Sequence, residues 1–336
     1  MELFSLTTLP NQMSAIRLAS LLPILALLLI CSCGGNPSGG NSADTANDDV
    51  PTGELVFKED EELQKEIATI AKEAKGKVGV FALLMEDERA VSLNGNEHFA
   101  MQSVVKLPVA MAILKQAAEG KLTRDQKISF TVEDLVNPNQ RSPLRDRNPK
   151  GGEVTIDELL QLAISESDGT ACDVLTRTAG GPPAIQEYIN SLGITEMEMK
   201  RTHKEFGKDW DMQYENWATP EAAVSLLQSL WSQTSHGDPE DELKQHIILK
   251  NMYETGTGPN RLKGLLPPGA PVAHKTGTGG TRDGITSATN DVGVITLPNG
   301  KHVAIAVFVG DSSAEEKVRE GVIAKVARAV WDKWAV

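Results

Sequence analysis

At 336 residues the chain is long enough to bury a substantial core, and no internal period marks it as a repeat array. Its composition, 40% hydrophobic and 24% charged, excludes a wholly disordered chain, and a formal net charge of −13 works against nucleic acid or an anionic lipid surface as a partner. Three cysteines, two of them at Cys31 and Cys33, exclude a disulfide framework and leave Cys172 as an unpaired thiol with the character of a small buried apolar residue.

The first predicted element is an address. Residues 18–30 form an uncharged, mostly apolar run after Arg17, too short for a comfortable permanent span and suited to a secretory signal peptide over 1–32. The run ends Ile30-Cys31-Ser32-Cys33-Gly34, which resembles the bacterial lipobox. Cys33, preceded by the small Ser32, is the better lipid acceptor, whereas Cys31 follows bulky Ile30. A plain signal peptide leaving a soluble protein is the alternative. Residues 33–57 are poor in apolar side chains until near their end and predict a flexible tether. The expected location is periplasmic, with the membrane, by preference the outer one, reached only through the lipid.

The remainder, 58–336, predicts one catalytic domain. Leu63, Ile67, Ile70, Ala71 and Ala74 recur at helical spacing, and residues 77–85 then read as a buried strand. The stretch 101–234 is mostly helical in pattern, with Leu107, Met111, Leu114 and Ala118 marking one buried face. Residues 291–297 and 302–309 are β-rich runs joined through Asn299-Gly300, a strong hairpin signal. The last stretch, 314–334, sets Val318, Val322, Ile323, Val326, Ala327 and Val330 on one helical face. The pattern predicts an α+β fold: an antiparallel sheet built from both ends (58–100 and 235–336), flanked by helices, with an all-α subdomain inserted. A cleft between the parts is the natural place for a site.

Three short elements carry the chemistry. In Ser103-Val104-Val105-Lys106 the hydroxyl and the amine are three residues apart on a helix and can meet, and the amine serves as base only if its pKa is held well below the free value of roughly 10.4. In Ser167-Asp168-Gly169 a second serine can pass a proton to a leaving nitrogen while Asp168 holds local structure. In His274-Lys275-Thr276-Gly277-Thr278 an edge strand offers a cation and hydroxyls to a carboxylate, with a glycine where a ligand must come close. Each alone is frequent by chance. Six histidines, none in an H-x-x-x-H or H-x-H arrangement with a third carboxylate, imply no metal, and no cofactor is indicated. His98 and His274 read as structural, and the five tryptophans as packing.

In this order the three motifs are the signature of class A β-lactamases and penicillin-binding proteins. The runs 142–146, 213–220, 261–267 and 288–293 extend the resemblance to the PER-, VEB- and CepA-like branch of the class A serine β-lactamases, over about 58–336. The resemblance implies a five-stranded antiparallel sheet, a monomer, and a small-molecule β-lactam, penicillin or cephalosporin, as substrate. It implies that Ser103 forms an acyl-enzyme with Lys106 as candidate base, that Ser167 relays a proton, and that the backbone N–H groups of Ser103 and Thr278 form an oxyanion hole. Lys275, Thr276, Gly277 and Thr278 would bind the substrate carboxylate with support from Arg261, and Asp168 and Gly169 would complete the substrate site.

The sequence also departs from that pattern. Aligned on Asp209-Trp210, His203 stands where the glutamate that activates the deacylating water is expected; Gly207 replaces a frequently polar residue, and Gly169 an asparagine. Acylation should survive while deacylation slows, unless His203 acts as base or Glu205 swings in from two residues away. The alternatives are a penicillin-binding sensor or sink that stays acylated, and a D-alanyl-D-alanine peptidase, which shares the three motifs.

Overall fold

The computed structural model describes residues 58–232 and 247–336. The expected leader over 1–32, the tether over 33–57, the lipid acceptor Cys33 and the junction at 234–235 lie outside them. Among the described residues no helix is long and apolar enough to cross a membrane.

A short strand β1 (Lys58–Glu59) leads into α1 (Glu61–Ala71), whose N-terminus is capped by Asp60 accepting from the Leu63 N–H at 3.2 Å. Strands β2 (Lys77–Leu84) and β3 (Arg89–Leu93) form the first hairpin. The inserted part follows: β4 (Phe99–Ala100), a 3-10 turn over Gln102–Val105, α2 (Lys106–Ala118), β5 (Lys127–Phe130), α3 (Pro143–Arg147), β6 (Gly152–Thr155), α4 (Ile156–Ile164), α5 (Gly169–Ala179) and α6 (Pro182–Ser191). It continues through β7 (Met197–Glu198), α7 (His203–Phe206), β8 (Trp217–Ala218), α8 (Pro220–Ser232) and a helical segment α9 over 247–253. The chain then returns to the sheet through β9 (Val272–Thr278), β10 (Thr281–Arg282), β11 (Ile285–Thr296) and β12 (His302–Ser312), and ends in α10 (Glu316–Trp334).

The expected five-stranded antiparallel sheet is present in the order β3-β2-β12-β11-β9, with β1 added in parallel at one edge and β10 paired to the start of β11. The insertion is mostly helical, but it also carries two small sheets, β4-β8-β7 and β5-β6. The β11–β12 turn is the one the Asn-Gly pair predicted: Gly300 takes φ +82°, and the Leu297 N–H donates to Lys301 O at 2.8 Å.

Side-chain alternation along β12 divides the core in two. Val303, Ile305, Val307 and Val309 join Leu63, Ile67, Val322, Ile323, Val326 and Val330 beneath α1 and α10. Ala304, Ala306 and Phe308 face the opposite way, into the cluster that holds α2, α4, α5 and α8. Both faces of the sheet are therefore covered, which is why its strands read as continuous apolar runs. Helix α2 is buried on all sides from Leu107 to Leu114, a wider burial than the single stripe expected, because α4, α5 and α6 surround it. Val318 departs from the expected apolar face of α10 and is 37% exposed. It lies in the first turn, where the helix turns Arg319 and Glu320 inward, and Arg319 Nε donates to Thr289 Oγ1 at 2.8 Å.

Phe308 is fully buried and stacks on Phe99 with centroids 5.6 Å apart, tying the sheet to the strand that precedes Ser103. Phe308→Ala should lower stability by about 3–5 kcal/mol. Denaturant unfolding checks this, with a loss under about 1 kcal/mol counting against the packing described.

Candidate active site

The structure brings the first two motifs and the lysine of the third to one point. Ser103 sits in the 3-10 turn that opens α2, and Lys106 begins the helix proper, so Lys106 Nζ lies 2.8 Å from Ser103 Oγ. The same amine donates to the Ser167 carbonyl at 2.8 Å and lies 3.3 Å from Ser167 Oγ. From the sheet side, Lys275 Nζ donates to Ser167 Oγ at 2.8 Å and to Thr276 O at 3.0 Å. A neutral amine at position 106 has two N–H donors for Ser167 and one lone pair for the Ser103 hydroxyl, which matches these contacts.

Burial sets the chemistry of both amines. Lys106 and Lys275 are almost completely shielded from solvent. Burial pulls the Lys106 pKa down to about 8, against the partial support of nearby acidic groups. Lys275 is held well below its ordinary value by burial first and then by the neighbouring Lys106. Two backbone conformations help to aim the groups: Gln102 at φ +51° and Ser167 at φ +55° both occupy the left-handed region, which non-glycine residues enter only when their surroundings hold them there.

Among the described residues strand β9 pairs only with β11, and its other edge borders a cleft of about 490 Å³, lined among others by Ser103, Lys106, Ser167, Gly169, His203, Thr276 and Thr278. Thr276 and Thr278 are thus placed to meet a ligand, but Lys275 is not among the lining residues and reaches the cleft only through Ser167. The glycine between the threonines answers an intramolecular demand: a Cβ at Gly277 would lie 2.5 Å from the Met101 carbonyl. The close approach expected from a ligand is made by the chain preceding Ser103. Arg261 lines the cleft too, yet its guanidinium is engaged with Glu320 (3.1 Å), Gly277 O (3.2 Å), Asn290 O (3.0 Å) and Thr278 Oγ1 (2.9 Å). It orients Thr278 rather than offering a free fork.

Asp168 corrects an expectation. Predicted beside the substrate, it is fully buried. Oδ1 accepts from Ser142 Oγ and the Ala171 N–H, both at 2.8 Å, and Oδ2 from the Leu144 N–H at 2.5 Å. It caps α5 and knits that helix to α3. Gly169, next in sequence, does line the cleft, where a Cβ would fit closely against Val136 and the Arg141 carbonyl, both within 3.3–3.4 Å.

The second side of the cleft is the loop around α7. His203 is buried, with Nδ1 3.3 Å from Asp173 Oδ1, and its Nε2 is buried without a hydrogen-bond partner. Burial lowers its pKa, with Lys106 adding to the effect, while Asp173 opposes it. Glu205 does not reach this place: its carboxylate accepts from the Thr202 N–H at 2.8 Å and Thr202 Oγ1 at 3.1 Å, closing a capping box on α7. A side chain at Gly207 would collide with the Asn137 amide, whose Nδ2 lies 1.7 Å from the Cβ position. Asn137 fills the space that a polar residue at 207 would need.

Several cleft residues receive no site role from the sequence, although Gln213 and Trp210 stand in segments that carry the resemblance. Gln213 accepts from Gln102 Nε2 at 2.8 Å and from Ser287 Oγ at 2.6 Å, linking the loop, the turn before Ser103 and β11. Thr257 Oγ1 lies 2.8 Å from Thr276 Oγ1. Trp210, read as packing, lines the cleft with the Arg282 guanidinium 4.8 Å from its ring centroid. The placement of these residues depends on loops meeting across long sequence separations, which local patterns do not encode. His98 stacks on Trp217 at 3.5 Å, and His274 lies 2.8 Å from Asp291, both in keeping with structural roles.

Cys172, Asp173 and His203 bring one potential ligand atom each within 4.8 Å of one another. The set suits a cation poorly. Both Asp173 oxygens already accept backbone N–H groups of His203 and Lys204 at 2.8 Å, and burial pushes the Cys172 thiol up to about 12.

Over residues 62–334 the chain matches the profile described as the β-lactamase enzyme family. It is 39% identical over 270 residues to β-lactamase VEB-1 of Pseudomonas aeruginosa, spanning 80% of this chain and 89% of that protein. Extended-spectrum β-lactamase PER-1 of the same organism is 38% identical over 269 residues, with 80% and 86% covered. A solved β-lactamase structure from Chitinophaga pinensis aligns with a TM-score of 0.77 at 42% identity, covering 81% of this chain and 99% of that one.

If Lys106 takes the Ser103 proton, only its neutral form is competent. Acylation of Ser103 by a small activated ester should then rise about tenfold per pH unit below pH 8 and level off above, in line with a pKa of about 8. Stopped-flow rates between pH 6 and 9 check this, and a flat profile would exclude Lys106 as the base.

Proposed function

The chain belongs to the β-lactamase enzyme family, and we propose on that footing that Ser103 opens the lactam ring of penicillins and cephalosporins quickly while the resulting ester is released slowly. Membership makes it a class A serine hydrolase acting on the β-lactam amide. The observation that carries the mechanism is the convergence of Ser103, Lys106 and Ser167 in the cleft, with Lys275 joined behind them through Ser167, by contacts of 2.8 Å.

In this reading Lys106 Nζ takes the Ser103 proton as Oγ adds to the lactam carbonyl. Backbone N–H groups of Ser103 and Thr278 hold the oxyanion, a stabilisation realised only as charge develops. The ring C–N bond then breaks, and the nitrogen takes a proton through Ser167, whose hydroxyl is held between the two amines. Thr276 and Thr278 bind the substrate carboxylate, with Lys275 supplying field from below and Arg261 setting the Thr278 hydroxyl.

Hydrolysis of the ester needs a base for water. His203 faces the cleft where a glutamate is expected, and its lowered pKa leaves the imidazole neutral at pH 7. Imidazole places its acceptor differently from a carboxylate, and the loss of a well-placed base costs about 10²–10⁴ in rate, or roughly 2.7–5.4 kcal/mol. Slow turnover follows. A permanently acylated sink is the second reading, supported by the engagement of Glu205 in its capping box. The apolar run after Arg17 and the Ser32-Cys33 pair support export and a lipid anchor at Cys33.

Acylation and deacylation rates for one penicillin, measured for the parent and for His203→Glu, test the assignment. The second step should accelerate by about 10²-fold or more with the first changed little. Intact-mass spectra of the parent should show an adduct that decays over many turnovers; an adduct that never decays would replace the hydrolase with the sink.

A further inference from the structure

The residue that distinguishes this cleft has a partner of its own. Asp173 lies on α5, one residue after the buried Cys172, and its carboxylate meets α7 at three points. Oδ1 accepts the His203 N–H and Oδ2 the Lys204 N–H, both at 2.8 Å, and Oδ1 also lies 3.3 Å from His203 Nδ1. The imidazole is therefore bracketed. One ring nitrogen faces a carboxylate, and the other, Nε2, is buried, without a hydrogen-bond partner, on a side chain that lines the cleft with Ser103.

We propose that Asp173 is a positioning residue for deacylation: it holds the proton of His203 on Nδ1, so that Nε2 is the basic nitrogen presented to the hydrolytic water. This rests on the reading of His203 as the base. The physical reason is that which nitrogen of a neutral imidazole carries the proton is set by what the other atoms bond, and a carboxylate can only accept. The same division of labour orients the histidine of serine hydrolases built on other folds. Here the serine proton goes to a lysine, and the His–Asp pair serves the second half-reaction alone.

The step balances as follows. Water adds its oxygen to the Ser103 ester carbon and gives one proton to Nε2, while Asp173 stabilises the imidazolium. The ester C–O bond then breaks, the proton returns to Ser103 Oγ, and the product leaves as a carboxylic acid. The charged groups facing the ring are Asp173 from α5, Lys106 from α2 and Lys275 from β9. On the 3-10 turn over Asp211–Glu215, Glu215 is paired with Arg201 at 2.9 Å. Asp173 is the carboxylate in contact with the ring.

Four proteins separate this role from simple capping of α7: the parent, Asp173→Asn, His203→Ala and the double variant, each scored for deacylation of one penicillin between pH 5 and 9. With His203 present, Asp173→Asn should slow the already slow deacylation by about tenfold or more and move the acid limb to lower pH. Above pH 8, where Lys106 is already mostly neutral, acylation should change by less than about twofold. With His203→Ala already in place, Asp173→Asn should add nothing, since the two act as a unit. Equal slowing in both backgrounds, or none in either, would overturn the proposal. His203→Ala leaving deacylation untouched would instead remove the base assignment beneath it. A second measurement needs no variant: ¹⁵N spectra of the histidine-labelled parent near pH 7.5 should show His203 protonated at Nδ1, and the opposite tautomer would also overturn the proposal.

Discussion

Two amines buried against one hydroxyl are the constraint around which the rest of the molecule is arranged. Lys106 and Lys275 are almost wholly shielded, and water is replaced at each by a few fixed oxygens. A charged ammonium there is costly, so the proton equilibrium shifts toward the free amine. Keeping the amines in place requires a helix buried on every side, a sheet covered on both faces, and a loop held in a left-handed turn by the Asp168 contacts that follow it. The core stabilises the fold, and it also withholds solvent from the site.

Much of this was legible in the residues. The first helix, the strand that follows it, the Asn-Gly hairpin and the terminal helix appear close to where periodicity placed them, because each buries an apolar face with its own repeat; the first helix ends at Ala71, short of the expected 74, and the strand at Leu84. Ser103 and Lys106 meet because a three-residue spacing on helical backbone forces them together. The misplacements share a cause as well. Val318 has the right period but sits in the first turn of α10, and Asp168, expected to hold local structure and also to complete the substrate site, does only the first, spending both oxygens on neighbouring backbone and Ser142. Period and spacing report what one element can do; they are silent about which distant loop arrives to compete for the same donor. Gln213, Thr257 and Trp210 entered the cleft by that route.

The side of the cleft around α7 departs from the expected residue pattern at three positions. A glutamate, a polar neighbour and an asparagine are expected, and His203, Gly207 and Gly169 stand there. The glycine at 207 accommodates the Asn137 amide, and the histidine arrives with Asp173 beside it. Two of the three exchanges, at 203 and 207, are each matched by a contact from another element.

Cys172 illustrates what such enclosure means for durability. Its thiol is fully buried and resists ionisation, with a pKa of about 12, so neither thiolate chemistry nor solvent-borne oxidants can reach it while the domain is closed. Modification at sulfur becomes a record of opening events, and a molecule once alkylated or oxidised there would carry added bulk into a fully buried position when it tried to reclose.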